Sequence, residues 1–271
     1  MLFDSHAHLN FEDFNVDWQT IIADCQKNNI FLINVGSQLN TSQKAIAIAQ
    51  NYNQGVYAAV ALHPIHTPGS SFHPEVFELK EYKDLIASSK KVVAIGETGI
   101  DFFHDDKNFD NQKKVFIQHL HLAKEFDLPV IVHARNSKDG QACLPAGRTD
   151  VYEEILKILK KENTTKGVIH CFGGTVKQAL AFWQQGFFVG FTGIITFPKT
   201  QVLAEVIKSL PLEAVLIETD CPWLAPVPFR GQRNVPQYVK YVAQKIAEIR
   251  ETEYNKIEEQ TFKNALNLFN I

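Results

Sequence analysis

Short apolar runs rich in valine, isoleucine and phenylalanine recur along the chain, and longer segments with apolar residues at helical spacing separate them. Runs of this kind, bounded by polar or turn residues, are typical of buried β-strands. Because they are apolar at nearly every position, they indicate a parallel sheet that is covered by helices. Eight runs fit this description: LFDSHAH, IFLINVG, VYAAVALHP, VVAIGETGID, PVIVHAR, GVIHCF, FFVGFTG and VLIETD.

The segments between the runs predict helices, as in residues 111–126, where an apolar stripe recurs at helical spacing. Eight strand–helix units in 271 residues fit a closed (β/α)8 barrel of the TIM type, which typically needs about 250 residues. A doubly wound open sheet is the alternative, but no G-x-G-x-x-G motif follows the first run. We therefore predict one α/β domain, residues 1–271, in which 234–249 and 254–271 are closing helices.

One segment departs from the repeating pattern. Residues 137–150, SKDGQACLPAGRTD, are rich in glycine, proline and small side chains, which predicts an irregular loop. The loop is inserted between the fifth predicted strand and the helix VYEEILKILKK. It could reshape access to the barrel mouth, supply Arg148 to a substrate, or have no role in binding.

The composition limits the classes of protein and partner. With 45% hydrophobic and 21% charged residues the chain is typical of soluble globular proteins. The net charge of -3 provides no global positive field for binding duplex DNA, so any contact with nucleic acid must be local. No signal peptide or membrane span is evident, and we expect a cytoplasmic monomer without membrane contact. No C-x-x-C pair occurs, which argues against a disulfide framework or zinc knuckle among Cys25, Cys143, Cys171 and Cys221.

Residues that commonly bind metals recur where the predicted strands end. In a (β/α)8 barrel these ends form the active-site face. A single histidine such as His133 or His170 is more often a hydrogen-bonded core residue, but convergence from several strands favours a metal centre. Imidazole and carboxylate suit zinc, manganese or magnesium, and a pair of ions can activate water for hydrolysis. The residues at the strand ends are His6, His8, His63, Glu97, His133, His170 and Asp220.

Several longer stretches resemble the TatD-type metal-dependent deoxyribonucleases, a branch of the amidohydrolase-like barrels. The resemblance extends over essentially the whole chain and implies a metal-dependent TIM-type barrel with 3′-to-5′ exodeoxyribonuclease or related phosphodiesterase activity. Related barrels often carry a carboxylated lysine at the end of strand four, where this chain has Glu97, which favours the TatD branch. The matching stretches are DSHAHLN, ALHP, IGETGIDFF, PVIVHAR, VIHCFGG, VGFTGIITF, LIETDCPWLAPVPFRGQRN and TFKNALNLF.

The resemblance also implies a ligand set for two divalent ions, which could be Mg²⁺, Mn²⁺ or Zn²⁺. Glu97 would bridge them, with His133 and His170 completing the site of one ion. The site of the other ion would be completed by His6, His8 and Asp220.

Catalytic and substrate-binding roles are expected for further groups. Asp220, which also binds metal, would orient and deprotonate the attacking water, and Glu97 would act through the ions it bridges. His63 would contact the substrate phosphate or the leaving group, or be a structural histidine. Phosphate oxygens are the expected partners of Arg135, Arg230 and Asn234. Asp101, His66 and His104 are placed on mouth loops, and Phe102, Phe103, Trp223 and Phe229 are candidates for stacking on an unpaired base.

The main functional prediction is a hydrolase that cuts phosphodiester bonds of DNA at ends or in single strands. The same pair of ions would also serve a hydrolase of carboxylic esters or amides, including a D-aminoacyl-tRNA deacylase. A third possibility is a barrel that has lost activity and binds a partner. The intact set of metal-binding residues argues against this third possibility.

Overall fold

A computed structural model describes residues 1–138, 142–144, 147–198 and 200–271, with the backbone alone for 142–144 and 147–149. Eight strands form one sheet in which neighbours are parallel and follow the chain order, while β6 and β7 form a separate pair. Each of the eight apolar runs supplies one strand of the large sheet, as predicted. The strands are β1 (Leu2–Ala7), β2 (Ile30–Val35), β3 (Val56–Val60), β4 (Val92–Asp101), β5 (Val130–Arg135), β6 (Ala142–Leu144), β7 (Gly147–Thr149), β8 (Gly167–Ile169), β9 (Phe187–Phe191) and β10 (Val215–Ile217).

The first and last strands of the sheet meet near its carboxyl edge. The N–H of His8 donates to the carbonyl of Cys221 at 3.0 Å, and the N–H of Asp220 donates to the carbonyl of His6 at 2.9 Å. These two bonds connect β1 to the segment that follows β10, so the sheet is a nearly closed barrel. The predicted TIM-type barrel is thereby confirmed over the doubly wound alternative.

Helices follow the strands and cover the outside of the barrel. The helix expected at residues 111–126 is α5, and the two closing helices are α9 and α10. No described helix is both long and apolar enough to cross a membrane. The helices are α1 (Trp18–Lys27), α2 (Leu39–Ala49), α3 (Leu79–Ala87), α4 (Phe102–Asp105), α5 (Phe109–Glu125), α6 (Val151–Lys161), α7 (Val176–Gln184), α8 (Gln201–Ser209), α9 (Val239–Arg250) and α10 (Tyr254–Phe269).

The interior of the barrel is apolar toward the amino ends of the strands, called the lower end here, and polar toward their carboxyl ends at the mouth. Its lower layer includes Ile131 and Val168, and α10 closes this end because Phe269 stacks on Phe3 with ring centroids 6.0 Å apart. Side chains two positions apart on a strand point to the same face. The residues two positions beyond Ile131 and Val168 are His133 and His170. The strand face that fills the apolar layer therefore carries imidazoles toward the mouth.

The insertion after β5 is more regular than predicted. Its strands β6 and β7 pair antiparallel, so the expectation of an irregular loop throughout 137–150 is wrong. The strand pair could not be predicted from the sequence, because its glycine, proline and small residues are typical of loops. The ends of the insertion are held together by Asn136, whose side-chain amide donates to Asp150 and accepts from the N–H of Val151, both at 2.8 Å. The side chain of Arg148 lies outside the described residues.

A buried pair beneath the barrel seam yields a stability prediction. The Asp4 carboxylate is fully buried and accepts from both the N–H and the hydroxyl of Thr219, at 2.8 and 2.6 Å. Thr219→Val removes the hydroxyl and leaves a buried polar group short of a partner, so we expect a loss of about 1–3 kcal/mol in the free energy of unfolding. Chemical denaturation measures this loss.

The matched control is Thr261→Val in α10. The Thr261 hydroxyl is equally buried, but it donates to the carbonyl of Ile257 within its own helix, at 2.8 Å. A buried helical carbonyl keeps its backbone bond when this hydroxyl is removed, so we expect a smaller loss. Equal losses in the two variants would show that the Asp4–Thr219 pair has no special role at the seam.

Candidate metal centre

The residues at the strand ends converge at the carboxyl end of the barrel. Five of them, His63, Glu97, His133, His170 and Asp220, line a cavity of about 690 Å³ at the mouth, and His6 and His8 are buried next to them. The side chains are deeply placed, since His6 is fully buried and Glu97 is only 4% exposed. Ligand-type atoms lie within reach of one another among His6, His8, His63, Glu97, His133, His170 and Asp220.

One group of donors surrounds Asp220. The Nε2 atoms of His6 and His8 lie 3.1 Å apart, so the two rings approach each other at the end of β1. The Nε2 of His8 is 3.4 Å from the Oδ1 of Asp220, and that of His6 is 3.9 Å from the same oxygen. Three donors from β1 and the segment after β10 therefore face one point.

A second group surrounds Glu97 at the mouth-facing part of β4. Its Oε1 lies 2.5 Å from the Nδ1 of His133 and 3.5 Å from the Nε2 of His63. Its Oε2 lies 3.3 Å from the Nε2 of His6, which belongs to the first group. The two oxygens of one carboxylate thus face two different sets of imidazoles.

His170 lies between the two groups. Its Nε2 is 3.6 Å from the Oδ1 of Asp220 and 3.9 Å from the Oε1 of Glu97. Its ring also stacks on His6 with centroids 3.6 Å apart. The resemblance assigned His170 to the ion of Glu97 and His133, whereas its Nε2 is slightly nearer to Asp220 than to Glu97.

The donor set fits divalent ions. His6 has a buried Nδ1 without a hydrogen-bond partner among the described residues, while its Nε2 faces the Nε2 of His8. Two imidazole nitrogens this close, beside two carboxylates, are the arrangement that a cation completes. His63, expected beside the metals, has its Nε2 3.3 Å from the Nδ1 of His133 and so lies within the donor cluster itself.

Two further carboxylates orient the histidines from behind. Asp101 approaches the Nε2 of His133 at 3.0 Å and the Nδ1 of His104 at 2.8 Å. Glu218 lies 2.9 Å from the Nδ1 of His170. Such partners fix the orientation of ligating imidazoles. Asp101, expected on a mouth loop, is the last residue of β4, and Glu218 was not among the expected site residues although it precedes Asp220 by only two positions.

The electrostatics of the centre follow from burial and close opposite charges. Burial alone would raise the pKa of Glu97, but the surrounding histidines hold it well below its usual range. Burial lowers the pKa of His133, yet Glu97 and Asp101 outweigh burial and raise it to about 9. For His170, carboxylates led by Glu218 similarly raise the pKa to about 10. Cation binding must therefore displace protons from these imidazoles.

His63 behaves differently from its neighbours. Burial lowers its pKa to about 4, although Glu97 acts in the opposite direction. Its ring is therefore neutral at neutral pH, with one of its two nitrogens unprotonated. The Nδ1 of His63 accepts from the N–H of Ile65 at 3.2 Å, which holds the ring in place at the end of β3.

The three expected phosphate-binding residues have different positions. Arg135 lines the cavity, with its guanidinium 4.0 Å from the ring centroid of Phe103. Arg230 stacks on Phe197 at 4.5 Å and is not among the described residues that line the cavity.

The expectation for Asn234 is corrected. Asn234 is fully buried, and its amide donates to the carbonyls of Thr219 and Trp223 at 2.9 and 2.6 Å. Its oxygen accepts from the N–H of Val235. These bonds occupy the side chain in holding the loop after β10, so Asn234 is a structural residue rather than a phosphate contact.

Asp101 yields a prediction on metal affinity. Asp101→Asn removes the negative charge beside His133, so we expect the affinity for a divalent ion to fall about 10- to 100-fold. Competition with a chromophoric chelator measures the affinity. The control is Asp105→Asn, at the end of the short helix α4 that Asp101 precedes and not among the described residues that line the cavity. Equal affinity in the two variants would mean that Asp101 does not support the centre.

The whole chain is similar to known metal-dependent hydrolases. The model of the TatD related DNase family matches residues 3–270. The chain is 37% identical over 274 residues to YabD of Bacillus subtilis, an uncharacterized metal-dependent hydrolase, with 100% of both chains covered. It is 32% identical over 270 residues to YjjV of Escherichia coli, also an uncharacterized metal-dependent hydrolase, covering 99% of this chain and 97% of the relative.

Solved structures show the same barrel. The crystal structure of YjjV from Escherichia coli, a TatD homologue, superposes with a TM-score of 0.87 at 30% identity, covering 100% of this chain and 98% of the other. A TatD family hydrolase of Entamoeba histolytica has the same fold, with a TM-score of 0.81 at 22% identity over 98% of this chain and 97% of the other. The protein is therefore a metal-dependent hydrolase, and the chain belongs to the TatD related DNase family.

Proposed function

We propose that this hydrolase cuts phosphodiester bonds of DNA at strand ends or in single strands, from the 3′ end toward the 5′ end, with two divalent ions. The observation that carries the proposal is the position of Glu97. One oxygen faces His6 and the other faces His133, at 3.3 and 2.5 Å. A carboxylate with two such faces is suited to bridge a pair of ions.

The chemistry requires a charge-stabilising centre and a proton acceptor. A pair of ions, when bound, supplies Lewis acidity toward a phosphoryl oxygen and lowers the pKa of water. Asp220 is suited to orient the water and accept its proton, because its Oδ1 faces His8 and His170, and these histidines lower its pKa despite burial and so keep the carboxylate ionised. Arg135, on the cavity wall, is suited to hold a phosphate oxygen.

The depth of the centre supports a preference for unpaired DNA. Glu97 lines the cavity but is only 4% exposed, and His6 is fully buried, so the reacting bond must enter the barrel mouth. A nucleotide inside a duplex would have to unpair and unstack to do so, which costs a few kcal/mol. A frayed end or a single strand avoids that cost. The net charge of -3 likewise favours a local contact over broad duplex binding.

A nuclease assay tests the proposal. We expect purified protein with Mg²⁺ or Mn²⁺ to shorten 5′-end-labelled single-stranded DNA progressively, faster than blunt duplex, and a chelator to stop the reaction. His133→Ala should lower the rate by about 100-fold or more, since loss of a ligand's partner alone costs about 10- to 100-fold.

His121→Ala is the matched control, because His121 is an exposed histidine on α5 that pairs with Glu162. It should leave the rate unchanged. Absence of cleavage with every divalent ion, together with release of amino acid from D-aminoacyl-tRNA, would replace the nuclease proposal with an ester hydrolase. Absence of both activities, with retained binding of a cellular protein after metal removal, would favour the inactive binding barrel.

A further inference from the structure

Trp223 is a half-exposed indole on a fixed piece of backbone at the cavity wall. Its side chain belongs to the cavity lining, and the residue is 50% exposed. The backbone N–H of Trp223 donates to the carbonyl of Asp220 at 3.0 Å, and its backbone carbonyl accepts from the side-chain amide of Asn234 at 2.6 Å. A tryptophan exposed to water on a rigid support is typical of residues that dominate binding energy.

The indole lies beside the metal centre. Its ring centroid is 5.5 Å from that of His8 and 5.8 Å from that of Phe11, and both pairs are T-shaped. Phe11 in turn stacks on His8 at 4.4 Å. Among the described residues, neither aromatic neighbour stacks parallel to the indole. A planar part of a ligand bound at the metal centre could therefore stack on the indole of Trp223, directly beside His8.

A cationic site lies on another side of the cavity. The guanidinium of Arg135, at the end of β5, lies 4.0 Å from the ring centroid of Phe103, and the ammonium of Lys138 is 5.4 Å from the same ring. In the sheet order β5 is three strands away from β10, which the segment carrying Trp223 follows, so these cations and Trp223 come from different parts of the barrel rim. One wall offers a planar apolar surface and the other offers positive charge.

The other aromatic candidates do not offer a comparable surface. Phe102 is 2% exposed, and Phe229 stacks on Tyr238 with centroids 4.1 Å apart. One face of Phe103 is covered by the Arg135 guanidinium. Of the four aromatic residues selected from the sequence, Trp223 is therefore the one suited to stack on a ligand.

We propose that Trp223 is the base-stacking subsite for a nucleotide adjacent to the cleaved bond, and that Arg135, held on Phe103, binds a phosphate on the other side. The two walls match the two ends of a nucleotide, a planar base and an anionic phosphate. Stacking tolerates any base because every base has a π-face, but it requires the base to be unpaired. This inference rests on the proposed function in taking DNA as the occupant.

The test combines a protein change with a substrate change. The probe is a single-stranded oligothymidylate with phosphorothioate linkages, in Mg²⁺, with an abasic residue at the last or the next-to-last position from the 3′ end. Trp223→Leu should weaken binding of the intact oligonucleotide about 5- to 100-fold. It should not change the affinity for one of the two abasic oligonucleotides. That oligonucleotide lacks the base that stacks on Trp223, so the contact is already absent. Trp223→Phe should retain most of the affinity.

Fluorescence gives a second readout on the same subsite. The chain has three tryptophans, and Trp18→Phe with Trp183→Phe leaves Trp223 as the sole emitter without touching the cavity. Intact oligothymidylate should quench its emission, and the abasic form should quench it less. Retained binding of the abasic form by Trp223→Leu also shows that this variant is folded.

The outcomes separate the two proposals. Two results together would support the subsite: quenching of Trp223 emission, and an effect of Trp223→Leu on affinity that disappears when one base is missing. If ordinary DNA is not cleaved in addition, the nuclease proposal is overturned while the subsite stands. Cleavage of DNA with equal effects of Trp223→Leu on intact and both abasic oligonucleotides would overturn the subsite and leave the nuclease proposal standing. Unchanged Trp223 emission on oligonucleotide binding would likewise overturn the subsite and leave the nuclease proposal standing.

Discussion

The ionised carboxylate of Glu97, buried among histidines, is the constraint on which the rest of the centre depends. A buried charge is tolerated only when opposite charges or hydrogen bonds compensate its desolvation. Here the compensation comes from rings on separate strands, with His6 on one oxygen and His133 and His63 on the other. His63 follows β3 and His133 is on β5, the strands on either side of β4, but His6 is on β1, three strands away in the sheet order, and reaches Glu97 because the sheet curls into a barrel. The chemistry of the site and the topology of the sheet are therefore coupled.

The neighbouring groups follow from that constraint. Carboxylates stand behind two of the imidazoles: Asp101 hydrogen-bonds the Nε2 of His133, and Glu218 lies at ion-pair distance, 2.9 Å, from the Nδ1 of His170. At the seam, Asp4 and Thr219 form a buried pair that joins β1 to the segment carrying Asp220. The apolar layer below, closed by α10, excludes water from the floor of the centre.

Much of this arrangement was predictable, because it depends on local patterns. Continuous apolar runs indicate parallel strands, and a ligand residue at the end of a run points to the barrel mouth. What depends on long-range geometry was not predictable. The pairing register shifts between Asp4 and Ala7 and between Ile95 and Thr98, so simple alternation does not describe the ligand-bearing parts of β1 and β4. The burial of Asn234 likewise results from contacts across a loop, which composition does not reveal.

The number of ions that the centre holds tests the bridging role of Glu97 most directly. Native mass spectrometry of protein titrated with Mn²⁺ or Zn²⁺ counts the ions bound per chain, for the wild type and for Glu97→Gln. If Glu97 bridges two sites, the wild type takes up two ions and Glu97→Gln retains at most one under the same conditions. A wild type that binds a single ion, or a Glu97→Gln variant that still binds two, would contradict the account.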